Sequence, residues 1–96
     1  MTWYYLPFPN RKALLKFLRA LRASDVDTIH LYLVDVGKYI VICRLEGIEI
    51  SNAKTLTTGE LLTLTKKLHR YPHIKTNSPY RLISFLTAKI NLGEFT

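Results

Sequence analysis

The 96-residue chain has little of the chemistry that cross-links or anchors a small protein. Its single cysteine, Cys43, cannot form a disulfide within the chain. Small secreted domains usually carry several paired cysteines, so we expect a reducing, cytoplasmic location. The N-terminal residues lack a basic start followed by an apolar run, and no apolar run approaches the roughly 20 residues of a membrane helix. We therefore expect neither a signal peptide nor a membrane span.

Acidic residues are scarce and unevenly placed. The chain has 14 Lys and Arg against 7 Asp and Glu, a formal net charge of +7. Residues 1–24 contribute +5 without any acid, residues 25–60 contribute −3, and residues 61–96 contribute +5. Such a balance favours association with an acidic partner, which we expect to be nucleic acid or an acidic protein surface.

Hydrophobic residues make up 48% of the chain and charged residues 22%, which is typical of a globular protein. We expect residues 1–96 to form one domain. The element pattern predicts an α+β fold in the order β-α-β-β-β-α-α. Its mixed or antiparallel sheet would have three to four strands, with two to three helices packed on one face.

Periodicity and capping signals place these elements. We predict strands over residues 2–8, 28–34, 39–45 and 48–50, the third being central because both of its faces are apolar. Helices are predicted over residues 11–23, from Thr57 to the Tyr71-Pro72 pair, and from Pro79 to a stop at Gly93. The expected helix caps are Asn10, a Thr57–Glu60 capping box, and Ser78 before Pro79.

The first predicted helix has a cationic stripe. On a helical wheel its five basic residues fall within an arc of about 140°, opposite the other apolar residues, and only Leu15 intrudes on this arc. No acid lies among them, whereas an ordinary solvated face usually mixes the two signs. Such a stripe could hold a phosphate backbone, the alternative being a simple solvated surface. The stripe consists of Arg11, Lys12, Lys16, Arg19 and Arg22.

A second basic segment extends from Lys66 to Arg81. Its cations alternate with aromatic rings, the combination that single-stranded nucleic acids require. Tyr71 and Tyr80 are the candidate stacking residues, and residues 71–78 are predicted to form a loop between two helices. The alternative is an ordinary loop whose tyrosines fill the core. The candidate phosphate ligands are Lys66, Lys67, Arg70, Lys75 and Arg81.

The N-terminal strand is rich in aromatic residues and could serve as a stacking platform. Strand alternation sends Trp3 and Tyr5 to one face and Tyr4 and Leu6 to the other. At least half of these side chains must then belong to the core, which is the interpretation we favour.

Catalytic and metal signals are weak. The His69-x-x-x-His73 spacing is interrupted by Pro72, and no glutamate follows His69, so the zinc-protease helix pattern is absent. Cys43 lies in the most apolar run, where a thiol usually packs inertly. We expect no metal, no cofactor and no enzymatic activity. RNA cleavage by His30, His69 or His73 stays open as an alternative.

The sequence therefore predicts a non-catalytic accessory protein that binds nucleic acid, with DNA and RNA both open. The runner-up is a small protein-interaction module. It would be an adaptor or an inhibitor that docks on a larger nucleoprotein machine. One form of this alternative is a viral protein. A homodimer could also form by edge pairing of the first strand.

Overall fold

A computed structural model of the protein describes residues 2–21, 26–35, 38–46, 50 and 53–88. Three helices and five strands form a small α+β domain. No helix in this part of the chain has the length and apolar character needed to cross a membrane. In chain order the elements are β1 (Thr2–Phe8), α1 (Arg11–Leu21), β2 (Val26–Asp35), β3 (Lys38–Leu45), β4 (Lys54–Leu56), α2 (Thr58–Leu68), β5 (His73–Thr76) and α3 (Pro79–Thr87).

The five strands form one antiparallel sheet in the order β4-β1-β3-β2-β5. β3 is central, as predicted from its apolar faces, and Val41, Ile42 and Cys43 are fully buried. β1 and β2 are both antiparallel to β3, so they run parallel to each other, and α1 makes the connection between them. β4 pairs with Trp3–Tyr5 of β1. Along Trp3–Tyr5, β1 is therefore not an edge strand. The structure gives no support there to a homodimer formed by edge pairing of β1.

The prediction of three to four strands in the order β-α-β-β-β-α-α was wrong in detail. The order is β-α-β-β-β-α-β-α, because the predicted loop 71–78 contains β5. β5 has a single apolar residue, Ile74, and pairs with residues 29–32 of β2. This segment is a strand because its backbone pairs with β2. So short a segment carries no hydrophobic pattern that would show this pairing in the sequence. The predicted strand 48–50 falls largely outside the described residues, and β4 pairs with β1 rather than β3.

The predicted helix caps are all confirmed. Asn10 Oδ1 accepts a hydrogen bond from the Ala13 N–H at 2.8 Å. Thr57 and Glu60 form the reciprocal capping box, with both bonds at 3.2 Å. Ser78 Oγ accepts from the Arg81 N–H, with Pro79 in the first turn of α3. These caps satisfy N–H groups that the first turn of a helix leaves without partners. The predicted stop at Gly93 lies outside the described residues.

Helices cover both faces of the sheet, which corrects the expectation that they pack on one face. α1 and α3 pack against each other and cover the first face, over a core that includes Leu14, Leu18, Leu82 and Leu86. α2 covers the second face, where Leu68 packs with other apolar residues. The sheet has apolar residues on both faces, so a helix on only one would leave Tyr32 and Ile42 in water. Tyr4 lies on the first face and Trp3 and Tyr5 on the second, as the alternation predicted.

α2 connects β4 to β5, which are the two opposite edges of the sheet. It must therefore cross the second face from one edge to the other. A single 11-residue helix, about 16 Å long, leaves part of a five-stranded face uncovered.

Candidate functional site

The outer side of α1 carries a group of cations, with Leu15 as the one apolar residue within their arc. The helix buries Leu14, Leu18 and Leu21 against the sheet, which turns its charged side chains to the opposite side. Four of the five predicted cations lie there and are exposed, and Arg22 falls outside the described residues. We name this surface the α1 basic face, and it consists of Arg11, Lys12, Lys16 and Arg19.

The cations of the α1 basic face have no acidic partner in the part of the chain that the structure describes. No carboxylate there lies within the 4.0 Å ion-pair distance of any of the four. Asp27 pairs with Arg44, and Glu60 pairs with Lys54 at 3.3 Å. The charge of the α1 basic face therefore stays available to an external anion.

The second basic segment does not continue the α1 basic face. Most of its cations belong to α2, the turn after it and β5, on the other side of the sheet from α1. Only Arg81 lies on α3, the helix that packs beside α1. The cations predicted from the two sequence segments are therefore divided between two surfaces. The group on the α2 side consists of Lys66, Lys67, Arg70 and Lys75, all exposed.

Lys66 and Lys67 occupy the last turn of α2. Cations at this end of a helix are stabilised by the helix dipole. These two charges therefore have a local structural role. Arg19 in the last turn of α1 shares this role, and the other three cations of the α1 basic face lack it. The presence of Lys66 and Lys67 alone is weaker support for an external anion than the α1 basic face.

The two predicted stacking residues have different surroundings. Tyr71 is half-buried and packs against the core of the second face. The Arg70 guanidinium lies 4.9 Å from the centroid of the Tyr71 ring, and its Nη2 donates a hydrogen bond to Tyr71 Oη at 2.8 Å. Tyr80 on α3 is 59% exposed. The structure thus places the two rings on opposite sides of the sheet.

A pocket of about 510 Å³ opens where α2 joins β5, and we name it the α2–β5 pocket. Leu33 N–H donates to the Pro72 carbonyl at 3.0 Å, which fixes the start of β5 against β2. None of the five described residues lining the pocket is acidic. They are His69, Arg70, Tyr71, Pro72 and His73.

A row of rings that was not predicted from the sequence crosses the second face. The centroid distances are 6.0 Å from Trp3 to His30, 6.4 Å from His30 to Tyr32 and 5.3 Å from Tyr32 to His73. Tyr32 is buried, Trp3 and His30 are half-buried, and His73 is exposed. Alternation along β2 does pair His30 with Tyr32 on one face, but His73 joins them only once β5 is recognised.

Charged groups flank this row. Burial lowers the pKa of the His30 imidazole, and the positive charges of Lys75 and His73 lower it further. The Arg44 guanidinium lies 5.3 Å from the centroid of the Trp3 ring. Its Nε donates to Asp27 Oδ2 at 2.6 Å, and this bond is the main reason that the pKa of Asp27 is lowered. At neutral pH the row therefore has a neutral His30 beside a paired Arg44.

Among the residues that the structure describes, no three His, Cys, Asp or Glu side chains gather as a metal site would require. Cys43 is fully buried in the core of the first face, and burial raises the pKa of its thiol to about 12. Its predicted role as packing agrees with this position.

Comparisons with known proteins give no family. No protein-family model, no curated protein and no solved structure matches the chain.

Proposed function

We propose that the protein is a non-catalytic accessory that binds nucleic acid, with the α1 basic face as its principal phosphate contact. The observation that carries the proposal is the group of four exposed cations on one rigid helix without a carboxylate partner among the described residues. Phosphate contacts supply most of the affinity of sequence-independent binding. The helix dipole accounts for Arg19 alone among the four, because Arg11 and Lys12 lie in the first turn of α1 and Lys16 lies in its middle.

The dimensions of the α1 basic face suit a phosphate backbone. Arg11 and Arg19 are about 12 Å apart along the helix axis at 1.5 Å per residue. Successive phosphates of one strand of a duplex advance about 3.4 Å along its axis, so this length spans about three to four of them. Four cations on one side of α1 can therefore each neutralise a phosphate while Leu14 and Leu18 hold the helix on the sheet.

Fluorescence anisotropy tests the proposal with labelled duplex DNA, duplex RNA and single strands at about 50 and 200 mM salt. Four phosphate contacts predict a slope of log affinity against log salt of about −3.6 on duplex DNA. Lys16→Glu with Arg19→Glu should weaken binding at least tenfold at the lower salt and reduce the magnitude of the slope by about 2.

A matched variant controls for total charge. Lys66→Glu with Lys67→Glu changes the net charge by the same amount on the opposite side of the sheet, and duplex binding should fall much less. Equal losses in the two variants would reject α1 as the contact. An absence of binding to every nucleic acid at the lower salt would reject the function itself. The basic surface would then be a docking site for an acidic protein, and the chain would be the protein-interaction module that is the alternative function.

A further inference from the structure

The α2–β5 pocket lies on the other side of the sheet from the α1 basic face, and the function proposed above does not use it. Its volume of about 510 Å³ lies within the range of small-molecule sites, about 300–1,000 Å³. A single nucleotide falls within that range. The residues that line the pocket indicate which class of ligand it could bind.

Planar groups make up most of the lining. His73 is exposed, but its ring lies against Tyr32, which is only 4% exposed and held within β2. His73 Nδ1 also lies 3.4 Å from the Tyr71 carbonyl oxygen, a position that favours an Nδ1–H donor and leaves Nε2 for another partner. The hydrogen bond from Arg70 to Tyr71 Oη fixes a guanidinium plane beside a second ring. These flat groups are positioned before any ligand arrives.

Cations lie in and beside the pocket, and none of its described lining residues is acidic. Arg70 lines it, and Lys66 lies one helical turn earlier. Lys75 shares an exposed face of β5 with His73, because residues two apart in a strand point the same way. A ligand that combines a flat, uncharged group with a phosphate matches this arrangement, and a base in a single strand offers both.

We propose that the α2–β5 pocket binds an unpaired nucleotide of a single-stranded nucleic acid, with the base against His73 and Tyr71 and a phosphate at Arg70. The inference rests on the proposed nucleic-acid-binding function, and it adds a second surface that distinguishes unpaired from paired strands. Bases within a duplex are stacked and cannot enter such a pocket.

The test compares strands that differ only in their bases. Labelled oligothymidine and oligouridine of about ten nucleotides are titrated beside an abasic strand of the same length and charge. A base-carrying DNA or RNA strand should bind about 5- to 150-fold more tightly than the abasic strand, the range for one stacked base. Equal affinity of the abasic strand and both base-carrying strands overturns the proposal without any variant.

His73→Ala should reduce the ratio between base-carrying and abasic strands toward one, with little effect on the abasic strand itself. Leu62→Ala is the matched control, because it removes an exposed apolar side chain of α2 that does not line the pocket, and it should leave the ratio unchanged. Equal effects of the two variants overturn the proposal. Duplex binding by the α1 basic face can persist in that case, so failure of the pocket and failure of the proposed function are separate results.

Discussion

Arg44 on β3 holds Asp27 at the start of β2 through a hydrogen bond from Nε to Oδ2 at 2.6 Å. The register between the two strands shifts between Val26 and Thr28, which leaves Asp27 as the bulged residue. Thr28 also donates to Asp27 Oδ2, at 2.8 Å. The bulge thus places a carboxylate beside the guanidinium that covers Trp3.

This relationship predicts the titration of Asp27. The bonds from Arg44 and Thr28 favour the ionised carboxylate, so its pKa lies below the ordinary 3.8. Arg44→Met should move the pKa of Asp27 up toward 3.8, as followed by NMR of the carboxyl carbon. Lys54→Met is the control, since it removes the partner of Glu60 and should not affect Asp27. An Asp27 pKa of 3.8 in the unmodified protein would contradict the geometry.

Replacing a buried leucine of α1 and an exposed leucine of α2 tests the burial that the structure assigns to each. Leu18 is fully buried between α1 and the sheet, whereas Leu62 on α2 is 58% exposed. Leu18→Ala should lower the free energy of unfolding by about 2–5 kcal/mol, because it leaves a cavity in the core. Leu62→Ala should change it by no more than about 0.5 kcal/mol. Urea unfolding followed by circular dichroism measures both, and similar losses in the two variants would refute the assigned positions.

His30 predicts a loss of stability in mild acid. Burial and the nearby charges of Lys75 and His73 lower its pKa below 6.5, so the folded state binds fewer protons than the unfolded state. The free energy of unfolding is therefore highest above pH 6.5, where His30 is neutral in both states. It declines as the pH falls toward the pKa that His30 has in the folded protein. The melting temperature should therefore drop between about pH 7.5 and 5.5.

His30→Gln should reduce this drop in melting temperature. Glutamine does not titrate, so the unfolded chain no longer takes up the proton that His30 binds as the pH falls. His69→Gln provides the matched control, since His69 is exposed in the turn after α2. It should keep the pH dependence of the unmodified protein. The same drop in His30→Gln as in the unmodified protein would assign the acid sensitivity to other groups.

The features that could be predicted from the sequence have local physical causes. A capping box needs only Thr57 and Glu60 at the right spacing, and α1 needs only its apolar stripe, so both were confirmed. The central position of β3 also follows from its own residues, because an apolar run on both faces must be covered on both sides.

The features that could not be predicted depend on contacts between distant segments. β5 becomes a strand because Ile29–Tyr32 offers a free edge, and nothing within His73–Thr76 signals it. β4 likewise pairs with β1, some fifty residues earlier in the chain. Whether the two basic segments share one face stayed open in the sequence. Apart from Arg81 they lie on opposite sides, because α2 crosses the face that α1 does not cover. The ring row was missed because its members are distant in the sequence: Trp3 lies on β1, His30 and Tyr32 on β2, and His73 on β5.

The last prediction uses Cys43 as a probe of opening. Burial raises the pKa of its thiol to about 12 against an ordinary 9.0, so at pH 8 ionisation alone slows alkylation roughly 10³-fold relative to the unfolded chain. The thiol is also fully buried. Iodoacetamide should therefore label the native protein slowly, followed by mass spectrometry, and label it promptly in guanidinium. Leu18→Ala should accelerate native labelling, because a less stable core opens more often, while Leu62→Ala should not. Prompt labelling of the native protein would show that β3 is not enclosed between α1, α3 and α2.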